Sequence, residues 1–184
     1  MVEKSDKMNR DGWIAAALAA MAEGGVEKVR VEPLAKSLGV TKGSFYWHFA
    51  DRGALLEALL ERWIEMQTGS VIEDVEGRGG SAADILANVI GHIVKMDVGL
   101  EVGLRNWAAT DARVRAIIEQ VDARRIAHLA SILERAGIPG PAAQQRARFL
   151  YCAFIGEVAF GRPIPPEERP TASKAVRDML LRWP

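Results

Sequence analysis

The chain has 184 residues, 49% of them hydrophobic, and 24 Lys and Arg offset 24 Asp and Glu for a formal net charge of zero. That is ample apolar material for a buried core in one or two domains, while the single cysteine, Cys152, excludes an intrachain disulfide and no apolar run approaches the roughly 18 residues of a membrane span. A zero balance also argues against a broadly basic surface, so a polyanionic partner has to be met by a local patch.

The first predicted helix runs from Asn9 to about Glu23, with Ile14, Leu18 and Met21 on one face and Gly24 and Gly25 at its end. Residues 31 to 49, VEPLAKSLGVTKGSFYWHF, then spell two short helices joined by a tight turn. Leu34, Ala35 and Leu38 give the first an apolar side, with Ala35 small enough to admit a close neighbour. Gly39 can close that helix in the left-handed conformation, Val40 plugs the corner, and Thr41 is expected to cap the next helix through its side chain. Lys42, Gly43 and Ser44 form its first turn. Phe45 and Phe49, four apart, face the core, leaving Tyr46, Trp47 and His48 divided between packing and the outside. An Ala, a Gly and an apolar residue at these offsets fit any helix corner. The small and cationic head of the second helix fits phosphate and base edges, which a structural corner does not need. Between Lys28 and Arg52 the basic residues Lys28, Arg30, Lys36, Lys42 and Arg52 outnumber Glu32 and Asp51, and this local excess is what a phosphate backbone feels within a screening length of about 8 Å. A fourth helix follows from Asp51 through Leu55, Leu56, Leu59, Leu60 and Trp63.

VTKGSFYWHF, followed by FADRGALLEALLE, resembles the DNA-binding domain of the TetR-like (tetracycline-repressor-like) family over the N-terminal third of the chain. The resemblance implies an all-α protein: an N-terminal three-helix DNA-binding domain with a helix-turn-helix over residues 1–50, and a C-terminal helical bundle for effector binding and dimerisation over residues 51–184. Carried onto this sequence, the DNA-contacting set is Arg30, Thr41, Lys42, Gly43, Ser44, Tyr46, Trp47, His48 and Arg52. One departure stands out. Many members have a Thr or Ser cap before the second helix, whereas this chain has Arg30 and then Val31, so Arg30 is read as a phosphate contact.

Beyond the fourth helix, GRGGS at Gly77 to Ser81 is the clearest break. A helix from Asp84 to about Val98 carries Ile85, Leu86, Val89, Ile90, Ile93 and Val94 and is expected to end at Gly99. Leu100 to Ala109 is short and holds Arg105 and Trp107; Thr110 is expected to cap the long helix bearing Val114, Ile117, Ile118, Val121, Leu129, Ile132 and Leu133, which Gly137 and the IPGP turn stop. Asp122, Arg124 and Arg125 on it read as a solvated or interhelical charge cluster. Ala142 to Phe160 forms the next helix, with Cys152 as an inert buried thiol, then the proline-rich GRPIPPEERP and a final helix with Ala175, Val176, Met179, Leu180 and Trp183. No alternating strand pattern and no internal repeat appears.

The last two helices suffice to complete a monomeric core. The resemblance implies instead that they pair with their symmetry mates, giving a homodimer suited to a palindromic operator with half-sites roughly 34 to 36 Å apart. It also implies an effector pocket among the central helices, for which Trp63, Met66, His92, Met96, Arg105, Trp107, Phe154 and Glu157 supply apolar surface and a few polar groups; each taken alone also fits a core or interface position.

Catalysis finds no support. The histidines His48, His92 and His128 are far apart, there is no GxSxG, phosphate loop or CxxC, and Gly99 is expected to interrupt any helix joining Asp97 and Glu101. No metal or cofactor is implied. The charged N-terminus carries no signal-peptide pattern, and the expected setting is the reducing cytoplasm. The expected function is a homodimeric repressor released from double-stranded operator DNA by a small-molecule effector. The rival is a dimer of the same fold that acts through a protein partner without specific DNA binding, against which Thr41, Lys42 and Ser44 argue.

Overall fold

The computed structural model describes residues 9–96, 98–160 and 164–182, and among them there are α-helices and no strand. In chain order they are α1 (Arg10–Gly24), α2 (Val31–Ser37), α3 (Lys42–Tyr46), α4 (Arg52–Ile64), α5 (Ser70–Gly77), α6 (Ala82–Ile93), α7 (Val98–Thr110), α8 (Ala112–Arg135), α9 (Gly140–Phe160) and α10 (Arg169–Arg182). A 3₁₀ turn, Val26–Lys28, precedes α2, and a π turn, Glu65–Gly69, joins α4 to α5.

The helix ends follow local chemistry. Asn9 caps α1, its side chain accepting from the Gly12 amide at 2.8 Å, and Asp51 caps α4 by accepting from Ala54 at 2.9 Å. Ser81 and Asp84 form a reciprocal capping box on α6. At the close of α2, Gly39 takes φ 67°. Its amide donates to Lys36 and the Val40 amide donates to Ala35, so the last carbonyls of the helix are satisfied and Val40 folds back over the corner. Gly137, at φ 88°, ends α8 with the same pair of bonds.

Two expected caps are corrected. Thr41 precedes α3 with extended backbone but makes no side-chain cap bond. Thr110 is the last residue of α7, its hydroxyl donating to Trp107; Asp111 caps α8 instead, accepting from Arg113 and Val114, and a carboxylate there also favours the positive end of the helix. Nor does Gly99 end α6. That helix stops at Ile93, and Gly99 lies in the first turn of α7, so it does not interrupt the approach to Glu101; Asp97 lies outside the described residues, as does Trp183.

Buried side chains gather in two clusters. The first joins Trp13, Ile14, Ala17 and Met21 of α1 to Leu34, Ala35, Phe45, Phe49, the apolar face of α4, and Leu104, Trp107, Val114, Ile118 and Val121 of α7 and α8, thus taking in residues on both sides of position 50. The second packs α6, the C-terminal half of α8, α9 and α10 around Leu86, Ile90, Ile132, Leu133, Leu150, Phe154 and Leu180. Helix α8, 24 residues long, runs through both. Where α1 meets α7 the backbones nearly touch: a Cβ placed on Gly103 would stand 2.5 Å from the Met21 carbonyl oxygen.

Candidate functional site

Helix α3 is held from beneath by an aromatic stack. Phe45, fully buried, meets Trp13 edge-on at 5.2 Å and stacks on Phe49 at 5.4 Å, while the Arg10 guanidinium lies over Phe49 at 5.2 Å. With Phe45 and Phe49 inside, the helix must turn its other side outward. Trp47 is 88% exposed and Tyr46 55%, and Thr41, Lys42, Gly43 and Arg30 are exposed, with Ser44 and His48 half-buried. Rings of this size standing in water leave a large contact surface open on this side of α3.

Lys42 is paired with Glu32 at 2.8 Å, both side chains well exposed. The hydrogen bond to Glu32 and its charge raise the Lys42 pKa, and the same bond lowers that of Glu32. An exposed pair contributes about 0–1 kcal/mol, so a phosphate can displace Glu32 at little cost. Arg52, expected at phosphate, is turned to the protein instead. Its Nε donates to the Val29 carbonyl at 2.6 Å and its Nη2 to that of Val26 at 2.5 Å, fixing the turn that enters α2.

Behind this head lies a cavity of about 70 Å³, walled by Ile72, Val89, His92, Ile93, Met96, Arg125, His128, Leu129, Tyr151 and Phe154. Its apolar residues come from α5, α6, α8 and α9 and, with Met96, from the turn after α6, and its polar groups from α6, α8 and α9. Burial pushes the pKa of both His92 and His128 below the usual imidazole value. Between the cavity and α7 sits a buried ionic network. Glu101, 2% exposed, accepts from Arg105 Nε at 3.0 Å and Nη2 at 2.7 Å. Arg105 also donates to both Asp122 oxygens, at 3.0 and 2.8 Å, and the Tyr151 hydroxyl donates to Asp122 at 2.6 Å. Burial opposes the Arg105 charge, but the Asp122 bond and the Glu101 charge outweigh it and raise its pKa; the Tyr151 pKa is also raised, chiefly by burial. Arg125 reaches Glu101 at 3.3 and 3.4 Å and Tyr151 at 3.2 Å.

Comparison with known proteins gives the head its family. The profile of the bacterial regulatory proteins of the tetR family matches residues 14–59, which span the core of α1, the helix-turn-helix and most of α4. Over these residues the chain is similar to the tetR family. The tetracycline repressor of class A from transposon 1721 of Escherichia coli is 41% identical over 120 residues, covering 61% of this chain and 56% of that protein. The chain spans about half or less of the length of the curated relatives it matches. Among solved structures, a transcriptional regulator from Rhodococcus sp. Rha1 has a TM-score of 0.74 at 22% identity, covering 94% of each chain. The regulator FadR of Bacillus subtilis, solved in complex with stearoyl-CoA, has a TM-score of 0.66 at 20% identity, covering 92% of this chain and 96% of its own. At these identities the two structures show a shared fold.

The residues expected at an effector site divide. His92, Met96 and Phe154 line the cavity. Trp63 and Trp107 are buried in the first core, Arg105 belongs to the ionic network, and Met66 and Glu157 are exposed. His128, Leu129 and Ile72 were not foreseen there; the alternation of His128 and Leu129 with the buried Ile132 and Leu133 one turn on is the signal that pointed to that face. Of the charge cluster on α8, Asp122 and Arg125 are interhelical and Arg124 is exposed. Cys152 is corrected: it is exposed, on the side of α9 opposite the buried Leu150, Tyr151 and Phe154.

Proposed function

We propose that this protein is a TetR-like DNA-binding transcriptional regulator, acting as a homodimeric repressor on a palindromic operator and released by a small-molecule effector. The observation that carries it is α3, anchored by Phe45 and Phe49 and presenting Lys42, Ser44, Tyr46 and Trp47 outward from a head that matches the tetR-family profile. Arg30 and Lys42 hold phosphates, and Thr41, Gly43, Ser44, Tyr46, Trp47 and His48 position the helix and meet base edges. Residues 1–50 form the reading head and residues 51–184 the effector and dimerisation part, in the cytoplasm where the DNA lies, without catalysis.

Dimerisation through α9 and α10 is supported by what they leave uncovered. Phe149, Cys152, Ala153 and Phe160 on α9, and Ala175 and Met179 on α10, are exposed at helical spacing. Twin copies packed on these faces would set two α3 helices on one side of the DNA. The effector is a small, largely apolar molecule with one or two polar groups, entering the cavity. A mobility-shift assay against the DNA flanking the gene tests the reading. Retardation that resists nonspecific competitor DNA is expected, and its absence refutes regulation by direct DNA contact.

A further inference from the structure

We infer that Arg125 reads the ligand in the cavity and ties it to the reading head through Trp63, so that the fitting ligand is an apolar molecule ending in a carboxylate. The inference rests on the effector-regulated reading and deepens it. Arg125 is a wall of the cavity, and its guanidinium carbon also lies over the Trp63 ring at 5.3 Å. Trp63 is the last buried residue of α4 and belongs to the core beneath the reading head. A single side chain thus touches both sites.

The lining decides the ligand's charge. Its polar groups are Arg125, Tyr151, His92 and His128, and no carboxylate is among the described lining residues. Burial keeps the two histidines toward the neutral form. The Tyr151 hydroxyl proton is committed to Asp122, so the polar end of a ligand meets the planar guanidinium of Arg125, whose fork matches two carboxylate oxygens and repels an ammonium.

Arg125 is also the more distant of the two cations on Glu101. Its contacts to Glu101 are 3.3 and 3.4 Å, against 2.7 and 3.0 Å for Arg105, where charge-assisted bonds of full strength run about 2.7–2.9 Å. When Arg125 turns to a ligand, Glu101 keeps Arg105 and no buried carboxylate is stranded. The cavity, about 70 Å³, is small beside the roughly 300–1,000 Å³ of ligand sites, so an occupant has to displace a wall. Moving Arg125 lifts the guanidinium from Trp63 and loosens the end of α4. A carboxylate then favours the conformer in which that stack is broken, and this difference in affinity shifts the head.

The test uses octanoate, octan-1-ol and octylamine against the full chain by calorimetry without DNA, with tryptophan emission read in parallel. Octanoate is expected to bind about 10- to 100-fold more tightly than octan-1-ol, the margin of one or two charge-assisted bonds, with octylamine weakest. Emission should change with octanoate in the parent chain and not in Trp63→Phe, although Trp63→Phe still binds. Arg125→Gln should bind the acid and the alcohol alike, and the parent's own discrimination carries the result should that variant not fold. Equal affinity of the parent for acid and alcohol, no binding of any probe, or an unresponsive Trp63 overturns the proposal. The operator assay is separate: its failure would sink the regulator reading and leave the calorimetric result standing.

Discussion

Replacing Gly103 by Ala probes the junction on which the head sits. The new methyl carbon would stand 2.5 Å from the Met21 carbonyl oxygen and 3.2 Å from Met21 Cγ, about 1 Å inside ordinary contact with the first. The obstacle is backbone in the last turn of α1, so α1 and α7 must part. Overpacking of this kind costs about 1–3 kcal/mol, while Ala in a helix interior returns about 1 kcal/mol relative to Gly. Gly91 in α6 isolates the second effect, since a Cβ there meets nothing within 4 Å. Thermal denaturation should therefore show Gly91→Ala melting at or above the parent temperature. Gly103→Ala should melt below Gly91→Ala by the packing cost, roughly 2 to 12 °C for a chain of this size. Equal melting temperatures for the two variants would refute the close approach. Because α1 also carries Trp13 beneath Phe45 of α3, operator affinity should also fall in Gly103→Ala at temperatures where it is fully folded.

Lys42→Ala should weaken binding to all DNA sequences and reduce the slope of log affinity against log salt by about one, while Glu32→Gln, which releases Lys42 from its pair, should tighten binding; unchanged affinity in both would remove Lys42 from the phosphate set. Burial holds the pKa of His92 and His128 below the unfolded value in the folded protein. Their contribution to stability is therefore complete above about pH 6.5 and is lost as pH falls, so melting temperature should drop between pH 7 and 5.5 and drop less in the His92→Gln, His128→Gln double variant. Cys152 should react with a thiol reagent in dilute monomer and be protected as dimer forms; sedimentation showing a dimer with Cys152 fully reactive would move the interface off α9. Truncation before Thr171 should expose the facing stripe of α9 and give monomers or aggregates with much weaker operator binding.

The head was readable because its signals are local. Gly39, Val40, Phe45 and Phe49 each act within one turn of their own position, and each does in the structure what its spacing implied. Caps were readable only to within a residue: Thr110 and Asp111 are adjacent candidates, and the carboxylate wins because it reaches two amides and carries charge. Cys152 was misplaced because its immediate neighbours from Leu150 to Ile155 are apolar; the exposed Gln145 and Arg148, seven and four residues before it on the same face, are the signal that places it outside. Within the ionic network, Glu101 and Arg105 stand one turn apart and could be paired from sequence. Their bonds to Asp122, Arg125 and Tyr151 span 17 to 46 positions and exist only because α7, α8 and α9 meet. The same holds for the cavity, where His128 and Ile72 arrive from segments that nothing in the sequence joins.

The π turn between α4 and α5 acts as a change of gear. On an uninterrupted α-helix each residue advances about 100°, so Ile72, nine positions beyond Trp63, would point to the opposite side of the rod. The wider turn at Glu65–Gly69 takes up the equivalent of one extra residue and swings Ile72 back toward the cavity while Trp63 stays in the head's core. The length of that segment is thereby fixed to the residue. Deleting one position there would re-phase α5 by a quarter turn or more and turn Ile72 away from the cavity, even if every side chain on either side were kept.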